Sequence, residues 1–113
     1  MLTSGDVVNL DLGSPRGREA GPRRPVVVVT AQEILDEAAN VIHVVPLTST
    51  IRGFGSEVEI SADGHNGLSS DSAAQCQHIR SVSVERVEDV RGNVGGATLS
   101  EIRGVLGLIL DIS

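Results

Sequence analysis

Apolar and polar residues follow one another along this chain in patterns that predict several short strands. The segment 6–12 repeats with a period of two, which is typical of a half-buried strand. The valine run in 25–30 fits a strand buried on both faces, and 41–47 is another β-branched run. The segment 56–61 alternates cleanly, and 75–82 predicts a further strand.

A short helix is expected between the second and third of these strands. Thr30, followed three residues later by Glu33, matches a capping box and predicts a helix over residues 31–39. Pro46 lies near the end of the next strand. Because proline cannot donate to a strand ladder, Pro46 indicates a sheet edge or a bulge there.

The last part of the chain predicts an amphipathic helix. Thr98 and Glu101 form a second capping-box pattern. An apolar stripe follows at helical spacing: Leu99, Ile102, Val105, Leu106, Ile109 and Leu110. Gly104 and Gly107 each cost this helix roughly 1 kcal/mol relative to alanine, so both are expected to pack closely against a neighbouring backbone.

These elements together indicate a fold that is mainly β. Residues 1–113 are enough for one domain with one core and too few for two ordinary ones. Five to seven short strands, a short inserted helix and a C-terminal amphipathic helix favour a small antiparallel β-barrel capped by a helix.

The composition narrows the class of protein further. Apolar residues make up 40% and charged residues 21% of the chain, which is typical of a globular protein, and Phe54 is the one aromatic residue. No long apolar run or basic leader is present, so we expect a cytoplasmic protein without a membrane partner. Cys76, the single cysteine, is expected to be a buried strand thiol without a catalytic role.

The charge is acidic overall but basic in one place. The net charge is -6, and all nine basic residues are arginines. Residues 16–24 hold four of these arginines and one glutamate, for a local charge of +3, and the glycines and prolines of 13–23 predict a long loop there. This patch suits contact with a few phosphates. A solvated loop paired with surface acids is the alternative, and charge alone favours that alternative.

Five short motifs occur in a characteristic order along nearly the whole chain. They are Gly5-Asp6-Val7, Gly21-Pro-Arg-Arg-Pro25, Val45-Pro-Leu-Thr48, Asp71-Ser72 and Ile79-Arg80. In this order they resemble the MazF/PemK family of toxins from type II toxin-antitoxin systems. The resemblance implies an SH3-like barrel, a homodimer, and sequence-selective cleavage of single-stranded RNA without a metal. It also implies a cognate antitoxin whose acidic, disordered segment covers the RNA groove.

The resemblance also implies roles for individual residues. The family's catalytic arginine and threonine fall on Arg24 and Thr48, and Glu19 matches an acidic loop residue of several relatives. Where the family often has glutamine, this chain has His78. Contacts to RNA are expected from a wider set: Arg16, Arg18, Arg23, Ser49, Thr50, His78 and Arg80.

The chemistry of RNA makes these assignments reasonable. The ribose 2′-OH can attack the adjacent phosphodiester, which gives a 2′,3′-cyclic phosphate and a 5′-OH end. Arg24 could stabilise the extra negative charge, and Thr48 could hydrogen-bond the phosphate but is a poor base. Either Glu19 or a histidine could transfer protons. No metal or cofactor is expected, since the acids and histidines lack metal-ligand spacing.

Other interpretations stay open at this point. Arg24 could pair with a surface acid, and Thr48 could simply belong to the polar end of a strand. The same barrel also occurs in CcdB-like toxins, which bind gyrase through a C-terminal Trp-Gly-Ile, but this chain contains no tryptophan. A non-catalytic barrel that binds RNA or a protein is a further alternative.

Overall fold

The computed structural model describes residues 1–11 and 23–112, and in that part of the chain seven strands form one antiparallel sheet. The strands are β1 (Asp6–Asp11), β2 (Arg23–Val28), β3 (Val41–Thr48), β4 (Glu57–Ile60), β5 (Ser72–Gln75), β6 (Arg80–Ser83) and β7 (Val87–Asn93). The helices are α1 (Gln32–Leu35) and α2 (Gly96–Leu110). The order is β4-β5-β3-β2-β1-β7, with β6 also paired to β3. The predicted mainly β fold with a terminal helix is confirmed, although no strand pairing in the described residues joins β4 to β7.

Strand β3 lies at the centre of the sheet because it has three partners. One edge pairs with β2, and the other pairs first with β6 and then with β5. On that second edge the β6 ladder ends at Val44 and the β5 ladder starts at Leu47, so Pro46 falls between the two ladders. The predicted sheet edge at Pro46 was wrong. Proline is tolerated here because the strand changes partner at this point.

Both predicted capping boxes are absent from the structure. Helix α1 has Ala31 as its N-cap and ends after four residues, well short of residue 39. The Thr30 hydroxyl accepts a hydrogen bond from the backbone N–H of His43 at 2.7 Å instead of capping the helix. Helix α2 begins after Gly95, and Thr98 lies inside it. For Thr30, a hydrogen bond to a neighbouring strand takes the place of the predicted cap. For Thr98, the helix begins at Gly96, before the predicted cap position.

The segment predicted as one strand over 75–82 is two strands joined by a tight turn. Residues Cys76–His78 form a 3-10 turn, and Cys76 within it is completely buried. The predicted burial of Cys76 is confirmed, but its placement in a strand was wrong. Strand β7 was missed altogether, because its sequence contains three charged residues and a glycine and its pairing with β1 contains two register shifts.

Two apolar clusters lie on the two faces of the sheet. Helix α2 covers the first face, and the smaller α1 contributes Leu35 to the second. Val7 belongs to the first cluster and Val8 to the second, and both are fully buried. Strand β1 is therefore buried on both sides at its start, which the predicted half-buried pattern missed. In the part of the chain described, no helix is long and apolar enough to cross a membrane.

Two glycines hold the turn before β5 against strand β7. Gly67 has a φ of +68°, and a Cβ there would overlap the Arg91 carbonyl. A Cβ on Gly92 would overlap the His65 carbonyl. Gly104, in contrast, has open space around it, and Gly107 approaches only Ile112 at the end of its own helix. The predicted close packing against a neighbouring backbone is wrong for Gly104, and for Gly107 it is limited to the Ile112 carbonyl, 2.9 Å from a built Cβ.

Candidate functional site

The register between β2 and β3 places Arg24 and Thr48 side by side. Val26 lies opposite Pro46 in this antiparallel pair, and two further residues along the same register bring Arg24 opposite Thr48. Side chains two residues apart in a strand share a face, so Arg24 follows Val26 and Thr48 follows Pro46 on one face of the sheet. Both residues line a single cleft with a volume of about 460 Å³.

Hydroxyl and guanidinium groups dominate the polar part of this cleft, which we call the Arg24 cleft. Its lining residues are Arg24, Pro25, Leu47, Thr48, Ser49, Thr50, Leu68, Ser69, Ser70, Ser72 and Arg91. No aspartate or glutamate is among these described lining residues. A surface with two guanidiniums, several hydroxyl donors and no carboxylate is suited to bind an anion, and a phosphate ester above all.

The hydroxyl of Thr48 is held in a defined orientation. Its oxygen accepts a hydrogen bond from the backbone N–H of Thr50 at 3.1 Å, and the residue is half-buried. Because that lone pair is occupied, the O–H bond is available to donate to a ligand in the cleft. Thr48 is therefore suited to act as a hydrogen-bond donor to a phosphate oxygen.

The guanidinium of Arg24 is exposed, and no residue in the described ranges accepts a hydrogen bond or ion pair from it. The structure shows elsewhere what a paired surface arginine looks like. Arg52 donates to the carboxylate of Glu57 at 2.9 Å and lies over the Phe54 ring, 4.9 Å from its centroid. Within 1–11 and 23–112, the alternative of a surface ion pair for Arg24 therefore has no support.

One carboxylate oxygen of Glu57, the acid that pairs with Arg52, accepts two hydrogen bonds. Gln77 donates to Glu57 at 2.9 Å, and this bond, followed by the contact with Arg52, lowers the pKa of Glu57 against the opposing effect of its burial. Glu57 is thus ionised and occupied by its own neighbours. It is not a member of the Arg24 cleft.

A second cleft adjoins the first and shares Arg24 and Leu47 with it. Its volume is about 340 Å³, and its lining residues are Leu10, Arg24, Val26, Val44, Pro46, Leu47, Gln75, His78 and Arg80. We call it the His78 cleft. The structure thus brings Arg24 together with Thr48, Ser49 and Thr50 on one side and with His78 and Arg80 on the other.

For four of the residues predicted for the site, the structure does not describe the side chain. Arg16, Arg18 and Glu19 lie in residues 12–22, which are outside the described residues. Arg23 starts β2 with its backbone paired to Asp11, while its side chain is outside the description. Their roles stay predictions.

Arg91, Ser69 and Ser70 of the Arg24 cleft were not foreseen from the sequence. Arg91 lies in β7 and donates to the carbonyl of Gly67 at 3.1 Å. Its sequence context is a charged stretch without a motif, and Ser69 and Ser70 resemble ordinary loop residues. Only the tertiary fold reveals them, because the close approach at Gly67 brings the turn and β7 together beside the cleft.

The other candidates for chemistry lie away from both clefts. Burial raises the pKa of the Cys76 thiol to about 11, so that it is not a nucleophile at neutral pH. His43 and His65 are exposed and line neither cleft. Among the residues described, no group of three or more histidine, cysteine, aspartate or glutamate side chains is placed to hold a metal ion.

In the described residues, a small antiparallel sheet places an arginine without a protein partner beside several hydroxyl groups at the end of two neighbouring strands, an arrangement suited to bind a phosphate ester. Comparison with known proteins identifies the family to which this chain belongs. Residues 3–110 match the model of the PemK-like, MazF-like toxins of type II toxin-antitoxin systems, and the chain belongs to this family. The resemblance carried by the five sequence motifs is thereby confirmed, and the gyrase-binding alternative is not favoured.

Individual relatives agree with this assignment. The chain is 37% identical to a protein named endoribonuclease MazF9 from Mycobacterium tuberculosis, over 99% of this chain and 98% of that protein. A MazE-MazF crystal structure from Deinococcus radiodurans matches with a TM-score of 0.79 and 28% identity, over 97% of this chain and 96% of the other. A mycobacterial endoribonuclease in complex with its cognate antitoxin also has a TM-score of 0.79, but at 20% identity it supports the fold alone, over 100% and 98% of the two chains.

Proposed function

We propose that this chain is the toxin of a type II toxin-antitoxin system and acts as a metal-independent endoribonuclease on single-stranded RNA. The observation that carries the proposal is the meeting of Arg24 and Thr48 in one cleft whose described lining contains no carboxylate. The name of the 37% identical relative, an endoribonuclease, supports the same activity. The 2′-OH of the substrate serves as the nucleophile, and the products are a 2′,3′-cyclic phosphate and a 5′-OH end.

Arg24 and Thr48 divide the work of stabilising the transition state. As the 2′-oxygen attacks phosphorus, negative charge develops on the non-bridging oxygens of the phosphorane. The Arg24 guanidinium, which has no partner in the described residues, can donate two parallel hydrogen bonds to these oxygens. The Thr48 hydroxyl, oriented by the Thr50 amide, can add a third. Donors fixed in advance are effective because they need no reorganisation during the reaction.

The wider RNA surface follows from the two clefts. Ser49 and Thr50 extend the Arg24 cleft, and His78 and Arg80 extend the contact surface into the His78 cleft. A single strand fits this surface because its phosphates and bases can follow two short clefts that meet at one arginine. Arg16, Arg18 and Arg23 are proposed to add phosphate contacts, and Glu19 is a candidate for proton transfer.

We further propose that the partners include a second copy of the chain and a cognate antitoxin. The Deinococcus relative was crystallised as a MazE-MazF pair, which supports an antitoxin partner for this chain. An acidic, disordered antitoxin segment would compete with RNA for the unpaired guanidiniums. Exposed apolar residues near the end of α2 support a homodimer: Leu108, Ile109, Leu110 and Ile112. Such a toxin acts on RNA in the cytoplasm.

The activity is tested by incubating the purified protein with a long single-stranded RNA in excess EDTA. We expect discrete fragments whose ends carry 2′,3′-cyclic phosphate and 5′-OH, detected by end-specific ligation and sequencing. The Arg24→Ala protein, purified in the same way, controls for contaminating ribonuclease and should leave the RNA intact. RNA that stays intact with the unmodified protein at micromolar concentration, or cleavage that requires an added metal, would contradict the proposal.

A further inference from the structure

The proposed reaction leaves the removal of the 2′-OH proton without an assigned residue. Thr48 donates its hydrogen, and arginine stays protonated, so neither is suited to accept a proton. Among the described residues that line the two clefts there is no aspartate and no glutamate. His78 is the one lining side chain in this set whose neutral ring carries a nitrogen lone pair that can accept a proton.

The turn that carries His78 is anchored to the core through its backbone. His78 ends the 3-10 turn Cys76–His78, and its neighbours on both sides are anchored in the core. Cys76 is completely buried, and its backbone N–H donates to the Ser56 carbonyl at 3.1 Å. Ile79 packs against the core and closes the turn by donating to the Cys76 carbonyl at 3.2 Å. An exposed side chain on so well anchored a turn is suited to a role that requires defined geometry.

Arg24 and His78 come from opposite sides of strand β3 and line the same cleft. In the β3–β6 pair, the ladder ends with Val44 opposite Arg80, and His78 lies two residues before Arg80, at the end of its turn. In the β2–β3 pair, Val26 lies opposite Pro46, and Arg24 is two residues away from Val26. Val44 and Pro46 line the His78 cleft together with Arg24 and His78. The guanidinium and the imidazole thus border one space in which a phosphodiester can bind.

We propose that His78 is the general base of the reaction, an inference that rests on the proposed ribonuclease function. The neutral imidazole accepts the proton of the 2′-OH while the 2′-oxygen forms its bond to phosphorus. The bond between phosphorus and the 5′-oxygen breaks, and the 5′-oxygen takes a proton from solvent water. The imidazolium then releases its proton to solvent. The charged groups that face His78 in its cleft are Arg24 from β2 and Arg80 from β6, while Gln75 from β5 is neutral.

Glutamine at position 78 distinguishes a general base from a simple RNA contact. Glutamine can hydrogen-bond RNA, but its amide cannot accept a proton at neutral pH. The change of His78 to glutamine therefore keeps the ability to contact RNA and removes only the nitrogen that accepts a proton.

The test compares His78→Gln with His65→Gln, the same substitution at a histidine outside both clefts. Single-turnover cleavage rates are measured from pH 5 to pH 8.5 in EDTA. We expect the unmodified protein and His65→Gln to show a rate that rises with pH, passes an inflection and levels off, because a general base acts only when it is unprotonated. His78→Gln should lose that inflection and cleave about 100-fold more slowly on the plateau.

Binding is measured in parallel with an RNA that carries a 2′-O-methyl group at the cleavage site. Affinity that stays within about threefold of the unmodified protein, together with the lost inflection, supports the base role. If His78→Gln weakens binding but keeps the inflection, His78 is only an RNA contact and the inference is overturned. If Glu19→Gln removes the inflection and His78→Gln does not, Glu19 is the base. An inactive unmodified protein instead defeats the ribonuclease proposal itself.

Discussion

Two clusters of polar side chains in this protein differ in how fully their hydrogen-bonding groups are used. In the Arg24 cleft, the guanidinium of Arg24 has no protein partner in the described residues, and several hydroxyls line open space. Where α2 meets the start of the chain, Arg103 instead donates to the Ser4 hydroxyl at 2.6 Å and to the Val29 carbonyl at 3.3 Å. The Ser4 hydroxyl in turn donates to the Thr30 carbonyl at 2.6 Å.

The difference between these clusters separates a role in function from a role in stability. Polar groups that satisfy one another, as around Arg103, connect the helix to the sheet and stabilise the fold. A permanently charged group without a protein partner adds little to folding and is available to a ligand. The comparison predicts opposite consequences for the loss of Arg24 and the loss of Arg103.

The largest effect is expected from Arg24→Ala. Removing one prearranged donor from the transition state typically costs roughly 3 kcal/mol, so cleavage should fall at least tenfold and by about 100-fold on that scale. The thermal midpoint should change little, because no described residue loses a partner. Cleavage rates and thermal unfolding of the same preparation provide the measurement.

Thr48→Ala supplies a second test of the same cleft. We expect at least a tenfold loss of cleavage with a nearly unchanged midpoint, since Thr48 accepts only one backbone bond from Thr50. Thr48→Ser, which keeps the hydroxyl, should retain most of the activity. A large drop in the thermal midpoint of the Arg24→Ala or the Thr48→Ala variant would show that the residue stabilises the fold, and would contradict a purely functional role.

The pairing of Arg24 with Thr48 shows how much of the site the sequence could indicate. The dipeptide Arg24-Pro25 opening a valine strand, and Thr48 ending the next, are local motifs, and the antiparallel register then brings them together. Arg91 had no such signal. It reaches the cleft only because Gly67 lets the preceding turn approach β7, a contact between residues 24 positions apart.

The sequence-based predictions of the fold that were wrong failed for the same reason that Arg91 was missed: the deciding contacts join distant parts of the chain. Alternation and β-branched runs predicted β1 to β4 well, because these strands pack against a core on at least one face. Strand β7 combines charged and partly buried residues without a clear alternation, and it forms through its pairing with β1 and the packing of Val87, which a local pattern does not encode. Thr30 looked like a helix cap, but its hydroxyl accepts from His43 in a neighbouring strand. Tertiary contacts decided both cases.

An intermediate effect, on stability instead of activity, is expected from Arg103→Ala. Hydrogen bonds from a charged donor to Ser4 and to backbone carbonyls are lost, and because Arg103 is exposed we expect a cost of only about 1–2 kcal/mol. Cleavage per folded molecule should stay unchanged. Chemical denaturation followed by circular dichroism measures the free energy of unfolding.

Arg86→Ala is the matched control for Arg103→Ala. Arg86 is also exposed and donates one hydrogen bond, to the Asp11 carbonyl at 3.2 Å. Its loss should cost less than about 0.5 kcal/mol, as for most surface substitutions. Equal destabilisation by the two variants, or a loss of cleavage in Arg103→Ala, would remove the distinction between the satisfied cluster and the cleft.

The smallest effect concerns the helix that carries Arg103. Nothing lies within 4 Å of a Cβ built on Gly104, so Gly104→Ala should raise the free energy of unfolding by about 1 kcal/mol through helix propensity alone. Gly107→Ala is the control, because its Cβ would lie 2.9 Å from the Ile112 carbonyl that follows the helix, and its gain should be smaller or reversed. Denaturant titration of both variants measures the difference. If Gly104→Ala also lowers cleavage, α2 influences the cleft through the sheet, and the two polar clusters are not independent.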